Sequence, residues 1–166
     1  MKLFRFFLLS WVLAVPYFAV AEDVTFRKPF TLTLYIDKEH YYEEKFDKIP
    51  YVHDGAIYLF KGDVFGVNLN QRDGVITEAS YVSSSHKADI AFEFKQEIEK
   101  DGTQLMLLKI TNNTEKRIFM DALMTVPNRN GILKTSILPL EPSLSGYESW
   151  PHPIVQLVLT KFRTTP

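Results

Sequence analysis

Ser83, Ser84, Ser85, His86 and Asp89 fall together in "SSSHKAD", which places a nucleophile, a base and an acid in one short stretch. Acyl transfer by a hydroxyl needs those three types converging in space, with donors for the oxyanion that forms. They normally converge from separate elements, and close neighbours on one loop do not reach that geometry. No Gly-x-Ser-x-Gly elbow is present. The histidines are equally scattered. No two of His40, His53, His86 and His152 stand at the i,i+2 or i,i+4 spacing of a local metal motif. His53 and His86 lie in turn-like stretches, and isolated solvated histidines are the plainer reading. Of the carboxylates, Glu43 and Glu44 sit in a charged run that reads as a solvated face. Asp121 interrupts the apolar stretch "IFMDALM" and is expected to face outward, because burying a lone charge is expensive. Gly62 and Gly66 in "FKGDVFGVNL" have no following helix to present a phosphate site, so Gly66 marks a bulge or a close backbone approach. No catalytic residue, metal ligand or cofactor site is assigned, and no enzyme is expected.

Aromatic side chains are the remaining chemistry. Tyr41, Tyr42, Tyr147 and Trp150 are the candidate ligand- or partner-binding residues, since exposed Tyr and Trp stack on sugars and anchor protein partners. In a strand-rich domain the same residues serve as core fillers and cross-strand pairs. Trp150 opens a Trp-Pro-His-Pro run between Leu138 and Ile154, a stretch holding Pro139, Pro142, Pro151 and Pro153. Proline fixes φ and removes a donor. The stretch is therefore expected to be a stiff connection outside the ladders, with Trp150 anchored on the end of the fold and His152 in solvent.

The elements that must position these residues are strands. "FTLTLYI" alternates Phe30, Leu32, Leu34 and Ile36 against Thr31, Thr33 and Tyr35, and "DIAFEF" sets Ile90, Phe92 and Phe94 on one face. "VFGVNLN", "LMLLKI", "IFMDALMTV", "ILKTSIL" and "IVQLVLTKF" extend the set. Asp54-Gly55, Lys61-Gly62-Asp63, Asp73-Gly74, Asp101-Gly102, Asn112-Asn113 and Asn130-Gly131 punctuate them as turns. The expected fold is all-β, an antiparallel sandwich of about nine strands. "DKEHYYEEKFDKIP" breaks the pattern. With Asp37 as N-cap and Tyr42, Phe46 and Ile49 on one helical face it reads as a short helix near 38–48, or else as a charged surface loop.

At the start of the chain, Lys2 and Arg5 precede the apolar run Phe6–Val15. Ala19 and Ala21 then supply small residues before Glu22 and Asp23. That order is a secretory signal peptide, 1–21, cleaved after Ala21, and the apolar run is shorter than the ~20 residues a spanning helix needs. Residues 22–166 then form one domain. The formal net charge is −1 and becomes more negative once Lys2 and Arg5 are removed. No basic stripe suits nucleic acid, and none suits an anionic membrane surface. There is no cysteine, hence no disulfide, no thiolate ligand, no cysteine nucleophile and no lipoprotein acceptor. An exported, cysteine-free chain reads as bacterial, and periplasmic or secreted.

"LKITNNTEKRIFMDALM", Leu108 to Met124, resembles the strand–turn–strand unit of bacterial exported immunoglobulin-like domains, in which an apolar strand ends in paired asparagines and a second apolar strand returns. The resemblance implies an immunoglobulin-like sandwich and covers only that unit. Such domains serve many functions, and fold does not choose among them. Two functions are carried forward. One is a non-catalytic exported interaction module whose partner is another envelope protein. The other is a carbohydrate- or small-ligand-binding sandwich that uses surface aromatics on a ligand such as cell-wall glycan.

Overall fold

The computed structural model describes residues 24–72, 75–99 and 102–164. The expected signal peptide, 1–21, lies outside the described residues. The strands are β1 (Phe30–Tyr35), β2 (Tyr41–Phe46), β3 (Val52–His53), β4 (Ala56–Leu59), β5 (Val64–Arg72), β6 (Val75–Val82), β7 (Ile90–Ile98), β8 (Gln104–Asn112), β9 (Ile118–Thr125), β10 (Leu133–Thr135), β11 (Ser145–Trp150) and β12 (Gln156–Thr164). All the pairings are antiparallel. One sheet runs β10-β9-β12-β4-β3, the other β11-β8-β7-β5-β6, and β1-β2 form a hairpin of their own.

Alternation decides which face is buried. Along β9 buried and half-buried residues alternate without a break, and β7 begins the same way. Phe65, Phe92, Phe94, Met106 and Leu108 from one sheet meet Ile57, Leu59, Ile118, Leu157 and Leu159 from the other in a single hydrophobic core. The result is an all-β antiparallel sandwich. Asp121 lies on the half-buried, outer face of β9, as expected. The β9–β12 register shifts between Thr160 and Arg163, and the shift brings two cations to its carboxylate, Lys161 Nζ at 3.1 Å and Arg163 Nη1 at 3.0 Å.

The unit around the paired asparagines is held from inside. Asn112 is fully buried, and its Nδ2 donates to the carbonyls of Lys116 at 2.8 Å and Glu141 at 3.1 Å. Its Oδ1 accepts from the Thr114 backbone N–H at 3.0 Å. A buried polar side chain is tolerated because its hydrogen bonds are made.

Three expectations need correction. The described residues contain twelve strands rather than about nine; short pieces such as β3 are invisible to an alternation count. The segment 38–48 is not a helix: Tyr41–Phe46 is β2, with Tyr42, Glu44 and Phe46 half-buried at period two. Phe46, the register partner of Phe30, stacks on it at 5.3 Å and packs on Phe60 at 5.1 Å. The capping chemistry of Asp37 is real but closes a turn, its carboxylate accepting from the N–H groups of Glu39 at 2.8 Å and His40 at 2.9 Å. The proline-rich stretch does join a ladder. Its prolines bracket Ser145–Trp150 instead of interrupting it, and β11 pairs with β8 from Ser145↔Thr111 to Trp150↔Met106.

Candidate functional site

Trp150, one of the four aromatic candidates, is buried, at 7% exposure. Its ring meets Phe94 edge-on at 6.4 Å, and its indole N–H donates to Thr135 Oγ1 at 2.9 Å. Leu138 N–H reaches Glu148 Oε1 at 2.7 Å, and Leu140 lies against Gly146. The connection before β11 thus runs beside the strand and closes the flank of the sandwich. His152 is half-buried and lines a cleft of about 280 Å³ with Ile36, Val126 and Arg129.

Tyr42 is half-buried, and its hydroxyl donates to Glu44, which pushes its pKa up to about 12. Tyr41 and Tyr147 are exposed, at 64% and 61%. Tyr41 stands on the β1–β2 hairpin and Tyr147 on the edge strand β11, so the four candidates divide between two places.

At the hairpin, Tyr41 pairs across the strands with Tyr35, itself 47% exposed. The position of Tyr35 is set by Gln96 on β7. The Gln96 Oε1 accepts from the Tyr35 N–H at 3.0 Å and its Nε2 donates to the Tyr35 carbonyl at 2.7 Å, so one side-chain amide stands in for a strand neighbour. Lys61 Nζ lies 5.4 Å from the Tyr35 ring centroid and donates to the Thr33 carbonyl at 2.6 Å; burial lowers its pKa. Tyr35, Lys38, Ile98 and Gln104 line a shallow cleft of about 180 Å³ beside Asp37. Ile98 is 51% exposed. Asp37 has its pKa lowered by the Glu39 N–H and then by the side chain of His40.

The serine-histidine stretch builds a different feature. Ser85–Lys87 form a 3₁₀ turn that folds back over the outer face of the β11-β8-β7-β5-β6 sheet. Gly66 on β5 makes this possible, since a Cβ there would lie 2.1 Å from the Cβ of Ala88. Asp89 pins the turn, its carboxylate accepting from the Leu69 N–H at 2.8 Å and its backbone carbonyl from the Asn113 N–H at 2.8 Å. Asn113 Nδ2 donates to the Ala88 carbonyl at 2.8 Å. Asp89 is therefore committed to the backbone, and no hydrogen bond among the described residues joins it to His86. The turn and the sheet enclose a groove of about 340 Å³.

The buried charge that sequence reasoning missed is Arg27, 6% exposed. Its guanidinium pairs with Asp63, donates to the Pro50 carbonyl at 2.7 Å and lies 3.9 Å from the Tyr51 ring centroid. All three of its nitrogens are engaged, which makes it a fixture of the fold. Among the described residues no three of His, Asp and Glu converge as a metal site would require.

Comparisons with protein-family models, with curated proteins and with solved structures find no match in any of the three. The site is therefore read from its geometry alone.

Proposed function

We propose that this chain is a non-catalytic, exported module that docks on another envelope protein through the β1–β2 hairpin. The observation that carries the reading is the exposed cross-strand pair Tyr35–Tyr41 with Ile98 beside the same cleft. Exposed Tyr side chains give large contact area at low entropic cost and are enriched among interface anchors. The Gln96 clamp holds Tyr35 in place before a partner arrives, which lowers the cost of binding. The antiparallel sandwich and the asparagine-centred turn support an immunoglobulin-like kinship, and the leader-like 1–21 supports a periplasmic or secreted location.

The test is site-directed photocrosslinking from Tyr41 in envelope preparations. One crosslinked partner is expected, lost on Tyr35→Ser with the melting temperature unchanged. Retention of the partner by a folded Tyr35→Ser/Tyr41→Ser variant would sink the reading. Export is checked separately by the mature N-terminus, expected at Glu22.

A further inference from the structure

The groove under the Ser85–Lys87 turn is floored by the outer faces of β7 and β8. Glu93, Lys109 and Thr111 project from the floor, His86 from the turn and Ser145 from β11. Its volume of about 340 Å³ lies at the low end of the ~300–1,000 Å³ that small-molecule sites occupy.

Its chemistry is mixed in sign. Glu93 and Lys109 are direct cross-strand neighbours, yet no ion pair joins them. Glu93 leans toward Lys95 instead, at 3.7 Å. Lys109 is half-buried, and its ammonium has neither an ion pair nor a hydrogen bond among the described residues. Three ammonium donors and a carboxylate acceptor thus stand side by side with capacity to spare. Thr111 and Ser145 add hydroxyls, linked at 2.9 Å. Tyr147, exposed, is the cross-strand neighbour of Lys109 and lies two residues along β11 from Ser145, on the same face.

This combination selects against simple ions. The carboxylate of Glu93 repels a phosphate or sulfate, and the ammonium of Lys109 repels a metal cation. It suits a ligand with no net charge that offers donors and acceptors on adjacent atoms and has one apolar face. A sugar ring has that chemistry: neighbouring hydroxyls that both give and accept, and a C–H face attracted to the negative face of an aromatic ring.

We propose that this groove binds a ring of a neutral oligosaccharide, with Lys109 and Glu93 addressing adjacent hydroxyls and Tyr147 stacking on the ring. The site shares no residue with the hairpin and stands or falls separately from it.

The experiment is an amide NMR titration of the mature protein with maltotriose, cellotriose and triacetylchitotriose in turn, with inorganic phosphate as a comparison probe. At least one saccharide should produce saturable shifts at Lys109, Thr111, Ser145 and Tyr147. Lys109→Met and Tyr147→Ala should each weaken that binding about tenfold or more with the melting temperature unchanged. Tyr35→Ser/Tyr41→Ser should leave it intact. The proposal is overturned if none of the three saccharides gives saturable shifts at these amides, if phosphate alone gives them, or if both groove variants bind as well as the parent.

Discussion

Trp150 shows how a single side chain is committed. It is the largest apolar group available in its stretch, and it fills the flank between β11 and the end of β10 at Thr135. Trp150→Ala should cost about 3–5 kcal/mol, as truncation of a buried aromatic does. Thr135→Val leaves the indole N–H without its partner and should cost about 1–3 kcal/mol. Chemical denaturation of both variants is the check, and a near-neutral Trp150→Ala would contradict the packing. Tyr42 gives a second test at this scale. Its phenol is held protonated by Glu44, so its folded pKa of about 12 lies above the ordinary value of 10.0. The stability this supplies is fully present below pH 10 and is lost as pH rises through about 12. Glu44→Gln should bring the Tyr42 titration, followed by ring NMR, back toward 10.0.

Elements carry information that single residues lack. β2 shows the point: Tyr42, Phe46 and Ile49 satisfy a helical face on paper. The stacking of Phe46 on Phe30 and its packing on Phe60 reward the strand instead. Local helical propensity over a short segment is a weak force beside that burial. The Ser85–Lys87 turn illustrates the reverse case, an element placed by what is missing. Gly66 leaves room for Ala88, and Gly66→Ala sets two Cβ atoms 2.1 Å apart. The substitution should lift the turn off the sheet and cost about 1–3 kcal/mol, as overpacking does. Ala88→Gly in the same chain should restore much of the loss. Thermal melts of the single and double variants check the coupling, and purely additive effects would show that the contact is not what places the turn.

At the scale of the whole molecule, Arg27 joins the segment before β1 to the body of the sandwich. Phe26 bridges to Pro50, the Arg27 N–H donates to the Ile49 carbonyl at 2.9 Å, and the guanidinium reaches Asp63 and the carbonyls of Pro50 and Tyr58. Arg27→Met should cost about 3–5 kcal/mol, because it removes the cation from the carboxylate of Asp63, whose side chain is only 13% exposed. Adding Asp63→Asn removes that charge while keeping an acceptor for the Phe60 N–H, which Asp63 now satisfies at 2.8 Å, and should recover part of the loss. Equilibrium denaturation of the three proteins measures it. No recovery in the double variant would show that the carboxylate is not the source of the cost.

The alternation in "FTLTLYI" and "DIAFEF" determined by itself that these segments form strands and which of their residues face the core, because a period of two has only one way to bury its apolar half. The sequence also put Asp121 outward, since a lone charge inside the sheet has no favourable alternative. The twelve-strand count, the strand at β2 and the pairing of β11 with β8 were decided by tertiary packing. So was the meeting of Tyr35 with Tyr41, and of Lys109 with Glu93 and Tyr147. "LMLLKI" displays Lys109 as the one polar interruption of an apolar run, and that signal was available. Which strands flank it, and that its ammonium has no partner among the described residues, depends on segments outside its own strand, around Glu93 and Tyr147. Pairing between distant segments is chosen by the fit of whole faces, and no local pattern encodes it.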